Sequence, residues 1–288
     1  MYQIGNSLTW DSQPLGIDAI AGGHDFGHHI RCASSLRTIG NEPITTCVDS
    51  PAPYGKYTEA LPNYEWDAIA LQLYRDGQFI SEDIAAATSM INLALSNEAN
   101  ADTHFYLYQS WARRSLTDTW LDESDLSANS RMVNTREATE VVIDAVRSNT
   151  GAEVYVIPTG DVFYELSRAI DNGEIEGLTS YYQLYRDDQH ASYDLGRYAA
   201  GLTAYASIYG TEGIESIVPP TGFYRAENDI WTPDVIEGIN GVVASVIDRH
   251  EFTQPIPEPS ALVVLLASFL TLRSRHYSNP STASRTAP

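Results

Sequence analysis

The sequence predicts an α/β protein, a three-layer α/β/α sandwich built on a mainly parallel, flavodoxin-like sheet. Two observations carry that expectation. Short runs of aromatic and branched residues at positions 2–4, 68–73, 105–108 and 154–157 read as strands. The segments between them repeat apolar residues at helical spacing, and parallel strands need such crossovers.

Taken in order, the first strand is the clipped run YQI, followed at once by Gly5-Asn6-Ser7-Leu8-Thr9. A second strand, AIALQL, precedes a helix over 81–97, where Ile84, Ala87, Ile91 and Leu95 share a face and Ser81 stands as N-cap before acidic residues. FYLY is the third strand, and the helix over 135–149 repeats Ala138, Val142 and Ala145 before Gly151. VYVI is the fourth, and a helix over 161–172 presents Phe163, Leu166 and Ile170, with Gly173 as C-cap. A last helix shows Leu195, Tyr198, Leu202, Tyr205 and Tyr209.

The chain has 288 residues, 43% of them hydrophobic, enough to bury a full core. Its formal charge of −21 gives a surface expected to repel nucleic acid and anionic lipid, and nucleic-acid binding is a poor reading. Cys32 and Cys47 leave two readings open, one disulfide or two unpaired thiols.

Composition divides the chain into a domain over 1–252 and a tail over 253–288. The tail is proline-rich, then apolar over 261–272 (ALVVLLASFLTL) with no polar face at helical spacing, then basic at Arg273 and Arg275. With Pro257-Glu258-Pro259 ahead of the apolar run, it resembles a PEP-CTERM sorting signal. That resemblance implies export, attachment to the membrane through this segment before processing, cleavage by an exosortase-type enzyme, and a final place in the envelope, at the cell surface or outside. Met1-Tyr2-Gln3-Ile4 has neither a basic n-region nor an apolar h-region, so the true start is expected upstream.

Ligands of open parallel sheets bind at the carboxyl ends of the strands. The chemistry-bearing residues expected there are Ser7 after the first strand, Gln72, Tyr74 and Arg75 after the second, and Trp111, Arg113 and Arg114 after the third. Beyond the fourth comes Asp187-Asp188-Gln189-His190. A serine hydroxyl needs a base during attack, imidazole is the common one, and a carboxylate on its far nitrogen orients it. An aspartate three residues before a histidine in a loop that opens a helix can fold back to do so. Taken singly, Ser7 is a turn residue or N-cap, and Asp187 and His190 are helix-start residues. Their order around this fold favours a triad.

Early Gly-Asn-Ser-Leu-Thr with late Asp-x-x-His resembles the SGNH (GDSL-type) hydrolase superfamily. The resemblance implies Ser7 as nucleophile, His190 as base, Asp187 as triad acid, and a tight bend at Gly5 that displays Ser7. The superfamily's Gly-x-Asn-Asp is absent, and Gln72 stands where its oxyanion-binding asparagine would be. The second-block glycine is also absent from Cys32-Ala33-Ser34-Ser35-Leu36. The expected oxyanion donors are therefore the N–H of Ser7, an N–H at Ala33 or Ser34, and the Gln72 amide. Tyr74, Arg75, Trp111 and Arg113 are the expected substrate contacts, since Trp stacks on sugar rings and Arg forks bind acidic groups.

The run GGHDFGHH places His24 and His28 at i, i+4, but Gly22, Gly23 and Gly27 break the helix that would align them on a metal. It reads as a loop lining the cleft. The expectation is an exported esterase cleaving acyl esters, such as acetyl groups on a polysaccharide, with no metal or cofactor. The alternative is a catalytically silent surface-binding or structural envelope protein on the same fold.

Overall fold

The computed structural model describes residues 1–73, 80–122, 135–224 and 230–256. The polypeptide divides into two compact units, Met1–Pro255 and Ile256–Pro288. Of the second, Ile256 alone is described, so Pro257-Glu258-Pro259, the apolar run and the arginines lie outside the described residues. No helix among the described residues is long and apolar enough to cross a membrane.

In the first unit, β1 (Tyr2–Gly5) pairs on one side with β2 (Gly27–Ile30) and on the other with β3 (Ala68–Gln72). β4 (His104–Tyr108) and β5 (Val154–Ile157) follow, giving five parallel strands in the order β2-β1-β3-β4-β5. The direction of winding reverses between β1 and β3, which opens a crevice at their carboxyl ends.

Strand periodicity separates the two faces of the sheet. Tyr2, Ile4, Ile69, Leu71, Phe105, Leu107, Val154 and Val156 point into one apolar core. That face is covered by α3 (Leu36–Asn41), α4 (Tyr57–Asn63), α5 (Ile80–Leu95) and α6 (Arg136–Thr150). The other face lies under α1 (Ser7–Asp11), α2 (Pro14–Ala21), α7 (Thr159–Asp171), α8 (Leu195–Tyr209) and α9 (Pro233–Arg249), with α8 packed against α1, α2, α7 and α9.

The three-layer architecture is the one that the sequence predicts, with local differences. Ser81 lies inside the first turn of α5. Thr135 caps α6 through its side chain, and Gly151 ends that helix at φ 68°. At the end of α7 the C-cap is Asn172, and Gly173 follows it at φ 75°. α9 escaped the sequence reading although Thr232 caps it, Pro233 opens it, and Val235, Ile239, Val243 and Val246 form its buried face.

GGHDFGHH is not a cleft-lining loop. Gly27–Ile30 is the edge strand β2, and both of its histidines are buried. A strand reading GHHI shows no alternation of apolar with polar residues. It is stabilised by the segment that follows: His28 Nε2 bonds Asp49 O at 3.1 Å, His29 Nε2 bonds Ile44 O at 3.0 Å, and Ile30 bridges Val48. The same segment covers the exposed sheet edge. Cys32 and Cys47 form a disulfide across it, with Cα atoms 5.8 Å apart.

Candidate active site

β1 ends at Gly5 because the chain must pass close to β3. A Cβ on Gly5 would lie 2.1 Å from Thr9 Oγ1 and 2.7 Å from the Gln72 side chain. Space, rather than a left-handed φ, is what requires glycine here. Asn6 then caps α1, its Oδ1 accepting from Leu8 N at 3.0 Å, and Ser7 is the first helical residue.

Three donors hold this turn on β3. Gln72 Oε1 accepts from Asn6 N at 3.0 Å, Thr9 N at 3.0 Å and Thr9 Oγ1 at 2.5 Å. Two backbone N–H groups at the oxygen fix which way the amide faces. Gln72 Nε2 is buried and has no partner among the described residues. On the other flank, Asn6 Nδ2 donates to Ser34 O at 3.1 Å, which ties the nucleophile turn to the loop after β2. In that loop Ala33 has a left-handed φ of 54°. It takes there the conformation that a glycine would favour. Among the described residues, the backbone N–H groups of Ser7, Ala33 and Ser34 have no hydrogen-bond partner.

The late loop approaches from the opposite side. Tyr185 bridges Ala191, Arg186 N donates to His190 O at 3.1 Å, and Ser192 N donates to Leu184 O at 2.8 Å, closing residues 185–191 into a tight loop ahead of α8. Inside it, Asp187 Oδ1 accepts the N–H of Gln189 at 2.7 Å and of His190 at 2.8 Å. Asp187 Oδ2 meets His190 Nδ1 at 2.8 Å, and His190 Nε2 lies 3.1 Å from Ser7 Oγ. A carboxylate at Nδ1 selects the tautomer with its proton there and leaves Nε2 bare to accept from the serine. Burial raises the Asp187 pKa, but the N–H groups of His190 and Gln189 and the imidazole outweigh it and hold the carboxyl at about 2.

Ser7, His190 and Asp187 are thus brought into one hydrogen-bonded line, with Gln72 and the Ala33–Ser34 segment against the same turn. Trp111 is placed differently from its expected role as a sugar platform. It is fully buried, stacked 4.4 Å from Phe163, and donates from Nε1 to Gln189 O at 2.8 Å. Its indole braces the histidine loop. Arg113 Nη1 lies 3.8 Å from Asp188 Oδ2, while Arg114 N and Ser115 N bond Asp188 O and Oδ1, each at 3.0 Å. Tyr74 and Arg75 lie outside the described residues.

Sequence reading missed the buried Asp11, which binds Arg186 Nη1 at 2.9 Å and Arg197 Nη2 at 3.0 Å. A lone aspartate four residues after a serine has no motif, and the two arginines that pair with it are close only in the folded chain. No group of three or more His, Cys, Asp or Glu side chains suited to a metal occurs among the described residues.

No family model matches the chain, and no curated protein matches it. Among solved structures, it is similar to the crystal structure of a DUF4886 family protein from Bacteroides uniformis, with a TM-score of 0.52 at 17% identity, covering 88% of this chain and 96% of the other. At that identity the likeness is one of fold, and what this chain shares with that protein is its α/β architecture.

Proposed function

We propose that the protein is a serine hydrolase of the SGNH type, an esterase that cleaves acyl esters through Ser7, His190 and Asp187. The observation that carries this reading is the continuous contact from Ser7 Oγ to His190 Nε2 at 3.1 Å and from His190 Nδ1 to Asp187 Oδ2 at 2.8 Å. In this mechanism Ser7 Oγ attacks the ester carbonyl and His190 Nε2 takes its proton. Asp187 keeps the ring oriented and stabilises the imidazolium. His190 then protonates the leaving alkoxide, and water activated by the same nitrogen releases the acyl group from Ser7. The oxyanion is received by the N–H groups of Ser7 and of Ala33 or Ser34, with Gln72 Nε2 as side-chain donor. The unpartnered state of these groups supports that assignment.

The substrate class remains the one expected from the sequence, acyl esters such as acetyl groups on a polysaccharide. Export with a PEP-CTERM-type tail is part of the same proposal and rests on the sequence of residues 253–288 alone. A fluorophosphonate probe tests the chemistry. Covalent labelling is expected at Ser7, lost in Ser7→Ala and strongly reduced in His190→Ala. A folded protein that never labels and hydrolyses no short-chain aryl ester would leave the silent-module alternative standing.

A further inference from the structure

Asp11 closes α1, the helix that Ser7 opens. It is fully buried, where an isolated carboxylate is costly unless every lone pair is met. Four contacts meet it: Arg186 Nη1 at 2.9 Å, Arg197 Nε and Nη2 at 3.0 Å each, and the N–H of Ala191 at 3.2 Å. Arg186 Nη1 also donates to Ala191 O. Arg186 and Ala191 are the residues immediately before and after the Asp187–His190 segment. One carboxylate therefore grips both feet of the loop that carries the base. Both guanidiniums lie in addition over the Tyr193 ring, 4.8 and 4.7 Å from its centre, so neither is free to swing away.

We infer that Asp11 is a positioning residue, which sets the distance from Ser7 to His190 by fastening the base loop to the nucleophile's own helix. The triad's internal bonds do not do this. Asp187 orients the imidazole within its loop, whereas the contact with Ser7 joins two segments that are 183 residues apart. A hydrogen bond between an exposed loop and a helix terminus is held only as well as the elements carrying it, and a displacement of about 1 Å costs roughly 10²-fold in rate. The buried carboxylate removes that freedom. The inference rests on the proposed reading of Ser7 and His190, but the geometry it asserts can be measured without turnover.

The test is a pair of double-mutant cycles. In the first, the rate of fluorophosphonate labelling is measured for wild type, Asp11→Asn, His190→Ala and the double variant. Asp11→Asn is expected to slow labelling by about 10²-fold, and to slow it no further once His190 is gone. Additive losses, or a wild-type rate in Asp11→Asn, overturn the inference. In the second, the imidazole nitrogen signals of His190 are followed by NMR: Ser7→Ala should move them in the wild-type background and leave them unmoved in Asp11→Asn. An equal shift in both backgrounds overturns the inference even in a protein that hydrolyses nothing, so its failure is distinct from failure of the esterase reading. Should Asp11→Asn not fold, Arg186→Gln removes the guanidinium nitrogen that donates both to Asp11 and to Ala191 O, while Arg197 still pairs with the buried carboxylate. It is expected to melt near wild type, to label slowly, and to uncouple the same NMR shift; a wild-type labelling rate with the shift intact overturns the inference.

Discussion

Gln72 Oε1 accepts from the backbone N–H of Asn6 and from that of Thr9, each at 3.0 Å, so the residues on either side of the Ser7–Leu8 pair hang from one amide oxygen on the neighbouring strand. The other half of that amide has no partner among the described residues. Holding the turn and meeting the oxyanion are then separable. Gln72→Glu keeps an acceptor for all three donors but replaces the amide donor with a carboxylate oxygen that repels the oxyanion, so kcat should fall by at least about 10²-fold. Gln72→Leu leaves two buried N–H groups unpaired, at about 1–3 kcal/mol each, and should lower the urea midpoint as well. Equal activity in Gln72→Glu and wild type would remove Gln72 from the oxyanion site.

Asp187 stays ionised far below neutrality, its carboxyl held at about 2 by the N–H groups and imidazole that outweigh its burial. The sign follows from a depressed carboxylate: its charge is present above that value and lost only as the pH falls through it. Between pH 4 and 9 it contributes no limb to the pH–rate profile. Asp187→Asn should lower kcat/KM by about 10³–10⁴-fold near neutral pH. A wild-type kcat/KM in Asp187→Asn at that pH would contradict this.

Cys32 directly precedes Ala33, and the disulfide to Cys47 spans 15 residues. Closing a loop of that length is worth about 3 kcal/mol. A Cys32→Ser, Cys47→Ser variant should lose about that much in urea unfolding, and its rate should fall because the segment holding Ala33 and Ser34 is loosened. Reductant should reproduce the effect in wild type and leave the variant unchanged.

Burial depresses His24, to about 4, and also His28 and His29. His29 uses both ring nitrogens, Nδ1 accepting from Tyr57 N at 3.3 Å and Nε2 donating to Ile44 O at 3.0 Å, an arrangement that fits only the neutral ring. In the unfolded chain these imidazoles take up protons as the pH falls through about 6.5, while the folded ones resist. Stability is therefore full above that value and declines below it, by about 1.4 kcal/mol per pH unit for each group until its folded pKa is reached. Urea midpoints measured from pH 7.5 to 4.5 should fall steadily, and less steeply in His24→Gln. A flat profile would show that the three rings are not held neutral.

Much of the architecture was legible along the chain, because a strand buried on both faces reads as a short apolar run and a crossover helix as a 3.6-residue period. β1, β3, β4 and β5 with α5 to α8 follow from such local patterns. So does the pairing of Asp187 with His190, which needs only a turn of three residues. What tertiary structure decided are the groups whose partners lie far away in sequence. β2 is a strand because the segment after it satisfies its histidines, and Trp111 is a brace because Phe163 and Gln189 close over it. Ala33 has its left-handed turn and Asp11 its two arginines for the same reason: close approach of distant segments selects the conformation and cancels the buried charge. No periodicity along the sequence records that approach.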